Sequence, residues 1–214
     1  MKHNYDTVAW FYDRMARLVF GSVQADAQVY LLQAIPPGAR VLIIGGGTGQ
    51  VLEDMVHVHA AGLVITYIDA SEKMIAQARK RNVKENGITF IMGRVEDVVL
   101  DGQFDVVMTP FLLDNFSDAD ARRAFNRIDG WLAGQGIWLY TDFQQTQVFW
   151  QKILLKSMLL FFRVCCGIKN RHLPDVAACF REYGYKPVIQ KEFMNGFILS
   201  AVYERIYSSQ KQER

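Results

Sequence analysis

A glycine-rich turn between an apolar run and a helical segment constrains the fold of this chain more than any other feature. Residues 41–44 have the unbroken apolar pattern of a strand that is buried on both faces. Gly45, Gly47 and Gly49 follow this strand, and the sequence from Gln50 onward has the pattern of a helix. Glycines allow a sharp turn and let a ligand approach main-chain N–H groups. The N-terminus of the helix then directs its own N–H groups and the positive end of its dipole at that ligand.

An acidic residue ends the next apolar run, residues 63–68. Asp69 follows that predicted strand, where a carboxylate can accept hydrogen bonds from both ribose hydroxyls of a nucleoside. The succession of strand, glycine turn, helix, strand and acid predicts the nucleoside-binding half of a doubly wound α/β sheet. A dinucleotide site requires G-x-G-x-x-G/A, but the sixth position counted from Gly45 is Gln50. A nicotinamide-dependent oxidoreductase is therefore the less favoured interpretation.

The remaining chain alternates between helical and strand patterns. The predicted helices cover residues 71–84, 118–132 and 173–183, and the further predicted strands cover residues 88–92, 104–109, 137–142, 185–192 and 196–203. This order predicts a Rossmann-like, doubly wound sheet of seven strands, mostly parallel with an antiparallel C-terminal strand, and helices on both faces. We expect a single domain over residues 1–207, with an N-terminal helical cap at 1–35, an apolar and basic helical insertion at 144–172, and a disordered tail at 208–214.

Composition and charge limit the class of protein. A net charge of +2 over 214 residues argues against nucleic acid as the main partner, because duplex binding usually requires a strong basic excess. The three cysteines have no zinc-ligand pattern, and His57 and His59 are two residues apart on a predicted helix, so we expect no metal site. The N-terminus lacks the apolar segment of a signal peptide, which predicts a cytoplasmic protein.

Several motifs resemble those of the class I S-adenosylmethionine-dependent methyltransferases. The sequence Gly-Gly-Gly-Thr-Gly at residues 45–49 is similar to the family's first motif, which holds the methionine end of the cofactor. Over nearly its whole length the chain is similar to the ubiquinone/menaquinone biosynthesis C-methyltransferase family. The matching segments are residues 5–13, 69–74, 104–107 and 182–185. The resemblance implies S-adenosylmethionine as the cofactor and methyl transfer as the activity.

The resemblance also implies which residues bind the cofactor. They come from the N-terminal segment, the glycine turn and the ends of three predicted strands: Tyr12, Gly45, Gly47, Thr48, Gly49, Asp69, Ala70, Met74, Arg94, Val95, Glu96 and Thr109. Arg94 departs from the family, which usually has Asp or Asn where the adenine edge is bound. A guanidinium only donates hydrogen bonds, so Glu96, Asp97 or the backbone of Val95 must accept the bond from the adenine amino group.

Two further acids are candidates for catalysis. A base is needed only if the nucleophile must lose a proton, as a phenol or an activated ring carbon does. Asp114 follows the fourth predicted strand and Asp142 ends the fifth, so both lie at the edge where open sheets bind ligands. Either could act as the base or orient a substrate hydroxyl. Alternatively, Asp114 caps a turn and Asp142 ends its strand near solvent.

The segment between the fifth and sixth strands favours a lipophilic substrate. Residues 143–174 contain no acid but five bases, namely Lys152, Lys156, Arg163, Lys169 and Arg171. Residues 148–166 are otherwise mostly apolar, and the first three of these bases fall on one helical stripe. The segment could be a lid over a lipophilic substrate, a helix lying on an anionic membrane, or a helix that covers the core or forms a dimer.

Together these patterns predict methyl transfer from S-adenosylmethionine to a small lipophilic acceptor, such as a quinol, a phenol or a lipid. The departures at Arg94 and at Pro110, where the family usually has Ser, leave open a protein that binds the cofactor without turning it over. We expect a monomer or homodimer that does not bind nucleic acid, with peripheral membrane contact through residues 148–166.

Overall fold

A computed structural model describes residues 19–166 and 172–206 of the chain. The strands are β1 (Arg40–Ile44), β2 (Ala61–Asp69), β3 (Glu85–Met92), β4 (Phe104–Pro110), β5 (Leu132–Phe143), β6 (Tyr185–Phe193) and β7 (Ile198–Arg205). The helices are α1 (Val23–Leu32), α2 (Gln50–Val58), α3 (Glu72–Ala78), α4 (Asp118–Trp131), α5 (Phe149–Cys166) and α6 (Val176–Glu182), with a short 3₁₀ turn at Leu113–Asn115.

The seven strands form one sheet in the order β3-β2-β1-β4-β5-β7-β6. β1, β2, β3, β4 and β5 pair in parallel, and β7 is antiparallel to both of its neighbours, β5 and β6. The predicted fold class is therefore confirmed. The strand order reverses between β1 and β4, which is where open α/β sheets bind ligands beyond the carboxyl ends of their strands.

Helices cover both faces of this sheet and bury two apolar layers. On one face, α4 and α6 pack an aromatic cluster that includes Phe125, Trp138 and Phe180. On the other face, α1, α2 and α3 pack against the aliphatic side chains of β1 and β2. Strands that are buried on both faces explain why residues 41–44 have an unbroken apolar sequence.

The helix predicted over residues 71–84 is too long. α3 begins at Glu72, where the Ser71 side chain accepts a hydrogen bond from the Met74 N–H, but it ends at Ala78. The Asn82 side chain accepts a hydrogen bond from the Lys84 N–H, and this local turn competes with helical hydrogen bonding. The helix predicted from residue 173 begins at Val176, because Asp175 caps it.

Parts of the predicted domain plan lie outside the described residues. These are the first half of the expected N-terminal cap, the tail at 208–214, the cofactor candidate Tyr12, and the bases Lys169 and Arg171. The remainder of the expected insertion at 144–172 contains α5. Over residues 19–166 and 172–206, none of the helices combines the length and the apolarity needed to cross a membrane.

We predict that Phe180→Ala destabilises the fold severely. Its ring is 1% exposed, stacks on Tyr203 with centroids 3.6 Å apart, and meets Trp138 at 5.2 Å. Loss of a buried phenylalanine ring costs about 3–5 kcal/mol of unfolding free energy. Phe149→Ala is the matched control, since that ring is 77% exposed and its removal should change the free energy by less than about 0.5 kcal/mol. If urea unfolding showed that both variants lose the same unfolding free energy, this assignment of the core would be contradicted.

Candidate functional site

A cavity of about 1130 Å³ opens at the carboxyl ends of the parallel strands. Its walls come from the turn after β1, the ends of β2, β3 and β4, the 3₁₀ turn, and helices α1 and α5. The cavity therefore lies where the strand order reverses, and its two halves differ in chemistry. One half contains the glycine turn and the acid of β2, and the other is mainly aromatic and aliphatic.

The turn after β1 has a backbone that only glycine adopts readily. Gly47 has a φ of +63° in the left-handed region, and a Cβ placed there would have no atom within 4 Å. The backbone of Gly47 therefore faces open space in the cavity and is accessible to a ligand. Gly49 is required for packing instead, because its Cβ would lie 2.8 Å from the Cβ of Ala78 on α3.

Side chains from β2 and from the segment after α3 hold this turn in place. The Tyr67 hydroxyl donates to the Gly47 carbonyl at 3.0 Å. The Arg81 Nε donates to the Thr48 carbonyl at 3.0 Å, and the same guanidinium pairs with Glu53 of α2 at 3.1 Å. These contacts fix the turn before any ligand binds, which lowers the entropic cost of binding.

The Asp69 carboxylate is the charged group of the nucleoside half. It is 8% exposed and lines the cavity. One of its oxygens accepts a hydrogen bond from the Gly47 N–H and the other from the Ser71 N–H, each at 2.9 Å. These bonds orient the carboxylate, which offers about four acceptor positions in all. This is the position that the sequence predicts for an acid that binds ribose hydroxyls.

The wall beside Asp69 is formed by residues that the sequence predicts as cofactor contacts. The predicted residues Ala70, Met74, Arg94, Val95 and Glu96 all line the cavity. Arg94 pairs with Glu96, with 3.6 Å between Nε and a carboxylate oxygen. The Val95 carbonyl accepts a hydrogen bond from Arg127 of α4 at 2.9 Å.

The sequence leaves Glu96, Asp97 and the backbone of Val95 open as acceptors for the adenine amino group. Of these three, Glu96 has the most suitable position. Its carboxylate lies on the cavity wall, whereas Asp97 is exposed to solvent and is not part of the lining. Arg94 pairs with one oxygen of Glu96, and a carboxylate offers further acceptor positions besides that one.

Asp114 and Asp142 form a carboxyl pair at the boundary between the two halves. Asp114 lines the cavity, and its carboxyl group is hydrogen-bonded to that of Asp142. Asp142 is 1% exposed and lies behind Asp114. Its oxygens accept hydrogen bonds from the backbone N–H groups of Leu113 and Asp114, both at 3.1 Å, and of Phe143 at 3.0 Å.

Burial raises the pKa of both carboxyl groups. The pKa of Asp142 rises to about 7, although three backbone N–H groups favour its ionised form. Burial raises the pKa of Asp114 well above its ordinary value, and the charge of Asp142 raises it further. Nearby, burial also raises the pKa of Tyr140, so that hydroxyl stays neutral. The pair therefore loses one proton around neutral pH, and above that pH it carries one negative charge and one proton, which the two carboxyl groups share.

Three predicted site residues within the described part of the chain do not line the cavity, namely Gly49, whose packing role is given above, Thr109 and Asp142. Thr109 is fully buried, and its hydroxyl accepts a hydrogen bond from the Trp138 indole at 2.9 Å. Successive side chains of a strand point to opposite faces, and the face of Thr109 is the one beneath α4 and α6. Asp142 also lies outside the cavity lining. The sequence predicts that it contacts the substrate directly, whereas in the structure its carboxyl group contacts Asp114.

Sequence reasoning missed several residues of the site. Tyr67 was the one with a detectable signal, since the hydroxyl of a buried tyrosine must find a hydrogen-bond partner. Phe111, next to Pro110, lines the cavity with a left-handed backbone at φ 49°. Gln24 and Gln28 of α1 line it too, but no motif marks them.

The half of the cavity opposite the glycine turn is largely apolar, and it is called the acceptor half below. Its lining includes Phe20, Phe111, Phe143, Leu154, Met158 and Phe161. The Phe111 and Phe143 rings meet with centroids 5.1 Å apart, and Asp114 lies at the edge of this half. Among the described residues, no three His, Cys, Asp or Glu side chains are grouped as a metal site requires.

Residues 41–136 of the chain match a family model described as a methyltransferase domain. The match begins in β1 and ends within β5, so it contains the glycine turn, Asp69, Glu96 and Asp114.

Two curated proteins are similar in sequence. The malonyl-(acyl-carrier protein) O-methyltransferase of Bacillus cytotoxicus is 31% identical over 140 residues, which are 65% of this chain and 46% of that protein. The ubiquinone/menaquinone biosynthesis C-methyltransferase of Vibrio campbellii is 28% identical over 132 residues, which are 58% of this chain and 51% of that protein. The chain thus spans about half the length of the curated relatives it matches.

A solved structure supports the same fold. The 1,6-didemethyltoxoflavin-N1-methyltransferase of Burkholderia thailandensis, with bound 1,6-didemethyltoxoflavin and S-adenosylhomocysteine, matches with a TM-score of 0.66. The two proteins are 15% identical, and the match covers 94% of this chain and 86% of that one. At this identity the likeness concerns the arrangement of strands and helices.

We predict that Asp114→Asn reduces the pH dependence of folding stability. The pKa of each buried carboxyl group is higher in the folded state than in the unfolded state. As the pH rises, the group therefore keeps its proton in the folded state after it has lost it in the unfolded state. The stability of the wild type should therefore fall as the pH rises above about 4, by at most about 1.4 kcal/mol per pH unit for each proton. Asparagine still donates to Asp142 but carries no ionisable proton.

Urea unfolding of both proteins at pH 5 and pH 8 checks this prediction. The variant should gain stability relative to the wild type as the pH rises. If the two proteins differed in unfolding free energy by the same amount at both pH values, the claim that Asp114 is buried and protonated would be contradicted.

Proposed function

We propose that this chain, which carries a class I S-adenosylmethionine-dependent methyltransferase domain, transfers a methyl group to a small lipophilic acceptor. The observation that carries the proposal is the division of one cavity into a nucleoside half and an apolar half. Asp69 and the open backbone of Gly47 characterise the first half, and the aromatic wall around Phe111 and Phe143 characterises the second. Asp114 lies between them.

The residues of the first half fit S-adenosylmethionine. Asp69 is oriented to accept hydrogen bonds from the ribose, and Met74 and Val95 provide apolar contacts for the adenine. Glu96 is the acceptor for the adenine amino group. The open backbone at Gly47 leaves room for the methionine end, which a side chain would obstruct. When bound, the cofactor supplies a methyl group on a sulfonium, and the acceptor attacks that methyl in line.

The second half suits an acceptor with an aromatic or aliphatic body and one polar group. Aromatic side chains bind such a body by excluding water from it, and Asp114 provides a hydrogen-bonding group at the reacting end. The names of the two curated relatives describe methyl transfer to oxygen in one and to carbon in the other. Phenols and quinols can be methylated at either kind of atom, which is why we favour them over amines.

The carboxyl pair can remove a proton from such an acceptor. When the acceptor donates its proton to Asp114, the proton that Asp114 shares with Asp142 can move onto Asp142. The negative charge of the pair thus passes to the acceptor, which becomes a better nucleophile. Asp142 acts in this step as a positioning residue and proton store, since it does not line the cavity. The proton returns to solvent after the product leaves.

A protein that binds the cofactor without turnover is the second candidate. It is supported by the Arg94–Glu96 ion pair, which occupies the wall where the resembled family usually has an uncharged or singly acidic group. Cofactor binding with no formation of S-adenosylhomocysteine, across a panel of phenols, quinols and lipids, would favour it over the transferase.

We predict that Glu96→Ala weakens binding of S-adenosylmethionine by about 5–10-fold, because one hydrogen bond to the adenine amino group is lost. Glu96→Gln keeps an acceptor oxygen and should change the dissociation constant by less than about 3-fold. Asp97→Ala is the matched control, because Asp97 is a neighbouring acid outside the lining. Titration calorimetry measures all three variants. If Asp97→Ala were the weaker binder, Asp97 would be the adenine acceptor.

We predict that Asp114→Asn lowers kcat for a phenolic acceptor by about 100-fold or more, because general-base catalysis contributes on that order. Binding of S-adenosylmethionine should be unchanged within about 2-fold, since Asp114 adjoins the acceptor half. In the wild type, kcat should rise with pH through about 7, the pKa of Asp142, and the variant should lose this rise. Formation of S-adenosylhomocysteine, followed by mass spectrometry, provides the rates.

Asp101→Asn is the control for that experiment, since Asp101 is an exposed acid outside the lining. A variant at Asp114 that kept the wild-type rate and pH profile would remove the carboxyl pair from the mechanism. The transferase assignment itself would then rest on turnover by the wild type.

A further inference from the structure

We propose that the outer face of α5 docks on an anionic lipid surface. This outer face consists of the apolar side chains Phe149, Ile153, Leu160 and Val164, with Lys152, Lys156 and Arg163 beside them. The proposal concerns binding to a membrane and does not depend on methyl transfer.

The four apolar side chains form an exposed stripe. They are 77%, 51%, 58% and 75% exposed in chain order. Their spacings of four, seven and four residues keep them within about 60° of one another around a helix that turns 100° per residue. Single exposed apolar residues are ordinary on protein surfaces, but a stripe along four turns of one helix indicates an interaction site.

The basic side chains lie along one edge of that stripe. Lys152, Lys156 and Arg163 are exposed and fall about 20° to 60° from Phe149 on the same helix. No acidic residue occurs between positions 143 and 174, so this surface has one sign of charge. An apolar stripe with adjacent cations matches the interface of an anionic bilayer, where apolar groups enter the acyl region and cations contact the headgroups.

The opposite side of α5 explains why the helix is held in this orientation. Leu154, Met158 and Phe161 line the cavity, and Leu154 and Met158 pack against the core cluster of Phe20, Phe143 and Phe197. The buried side chain of Gln151 donates to the Met194 carbonyl at 2.7 Å and fixes the start of the helix. Core packing therefore accounts for the inner face and leaves the outer face unexplained.

A second copy of this chain fits the outer face less well. In a twofold symmetric dimer the same surface meets itself, which would bring two sets of Lys152, Lys156 and Arg163 together with no acid in the segment to neutralise them. Anionic headgroups provide that neutralisation. The helix would lie in the plane of the membrane surface, with the mouth of the cavity beside it.

Vesicle sedimentation of the full-length protein tests the proposal. The probes are vesicles of phosphatidylcholine alone and vesicles with one part in three of phosphatidylglycerol. We expect binding to the anionic vesicles that weakens with salt. The triple variant Lys152→Gln, Lys156→Gln, Arg163→Gln should lower the partition coefficient about 100-fold. The double variant Ile153→Gln, Leu160→Gln should lower it by at least about 10-fold.

Matched variants elsewhere on the surface provide the controls. Lys73→Gln, Lys80→Gln, Lys186→Gln removes the same charge from exposed positions, and Val99→Gln, Val188→Gln removes exposed apolar groups. Both controls should bind like the wild type.

Three results would overturn the proposal. One is a folded wild type that does not bind anionic vesicles, and another is equal losses in the α5 variants and the controls. The third is a dimer, seen by light scattering, that dissociates in the Ile153→Gln, Leu160→Gln variant while vesicle binding is absent. In that case the outer face would be an interface between copies of the chain.

Discussion

The two hydrogen bonds that the Asp69 carboxylate accepts organise the nucleoside site. They join the Gly47 N–H in the turn after β1 to the Ser71 N–H that precedes α3. Because β1 and β2 are adjacent parallel strands, one carboxylate at the end of β2 can hold the turn of β1 and still face the cavity. The left-handed backbone at Gly47 makes this approach sterically possible, and Tyr67 fixes the same residue from its carbonyl side. Binding geometry and local folding therefore depend on the same contacts.

Helix α5 connects the chemistry of the cavity with the surface of the molecule. Its inner residues Leu154, Met158 and Phe161 form part of the acceptor wall, and its outer residues present apolar groups beside cations. A lipophilic acceptor at a membrane surface would meet this helix first and would have a short path into the apolar half of the cavity. The proposed substrate class and the proposed docking surface thus have a common structural basis, although they are tested separately.

The fold and the nucleoside half of the site could be predicted from the sequence, because local backbone requirements determine them. A glycine turn after a buried strand and an acid after the next strand leave few alternatives. Side-chain direction was harder to predict. Thr109 was expected at the cofactor, but strand alternation places it under Trp138 on the covered face. Asp114 and Asp142 were each predicted as candidates for catalysis. Their contact arises because β4 and β5 are neighbours in the sheet, and a single sequence does not reveal which strands are neighbours.

Titration calorimetry with S-adenosylmethionine, S-adenosylhomocysteine and NAD⁺ tests the central claim most directly. The purified wild type, Asp69→Ala and the control Asp101→Ala would be compared after circular dichroism confirms that each is folded. The account predicts that the wild type and the control bind both adenosyl compounds but not the dinucleotide, and that Asp69→Ala binds neither. Failure of the folded, ligand-free wild type to bind, or undiminished binding by Asp69→Ala, would contradict the claim that this turn and this carboxylate form the cofactor site.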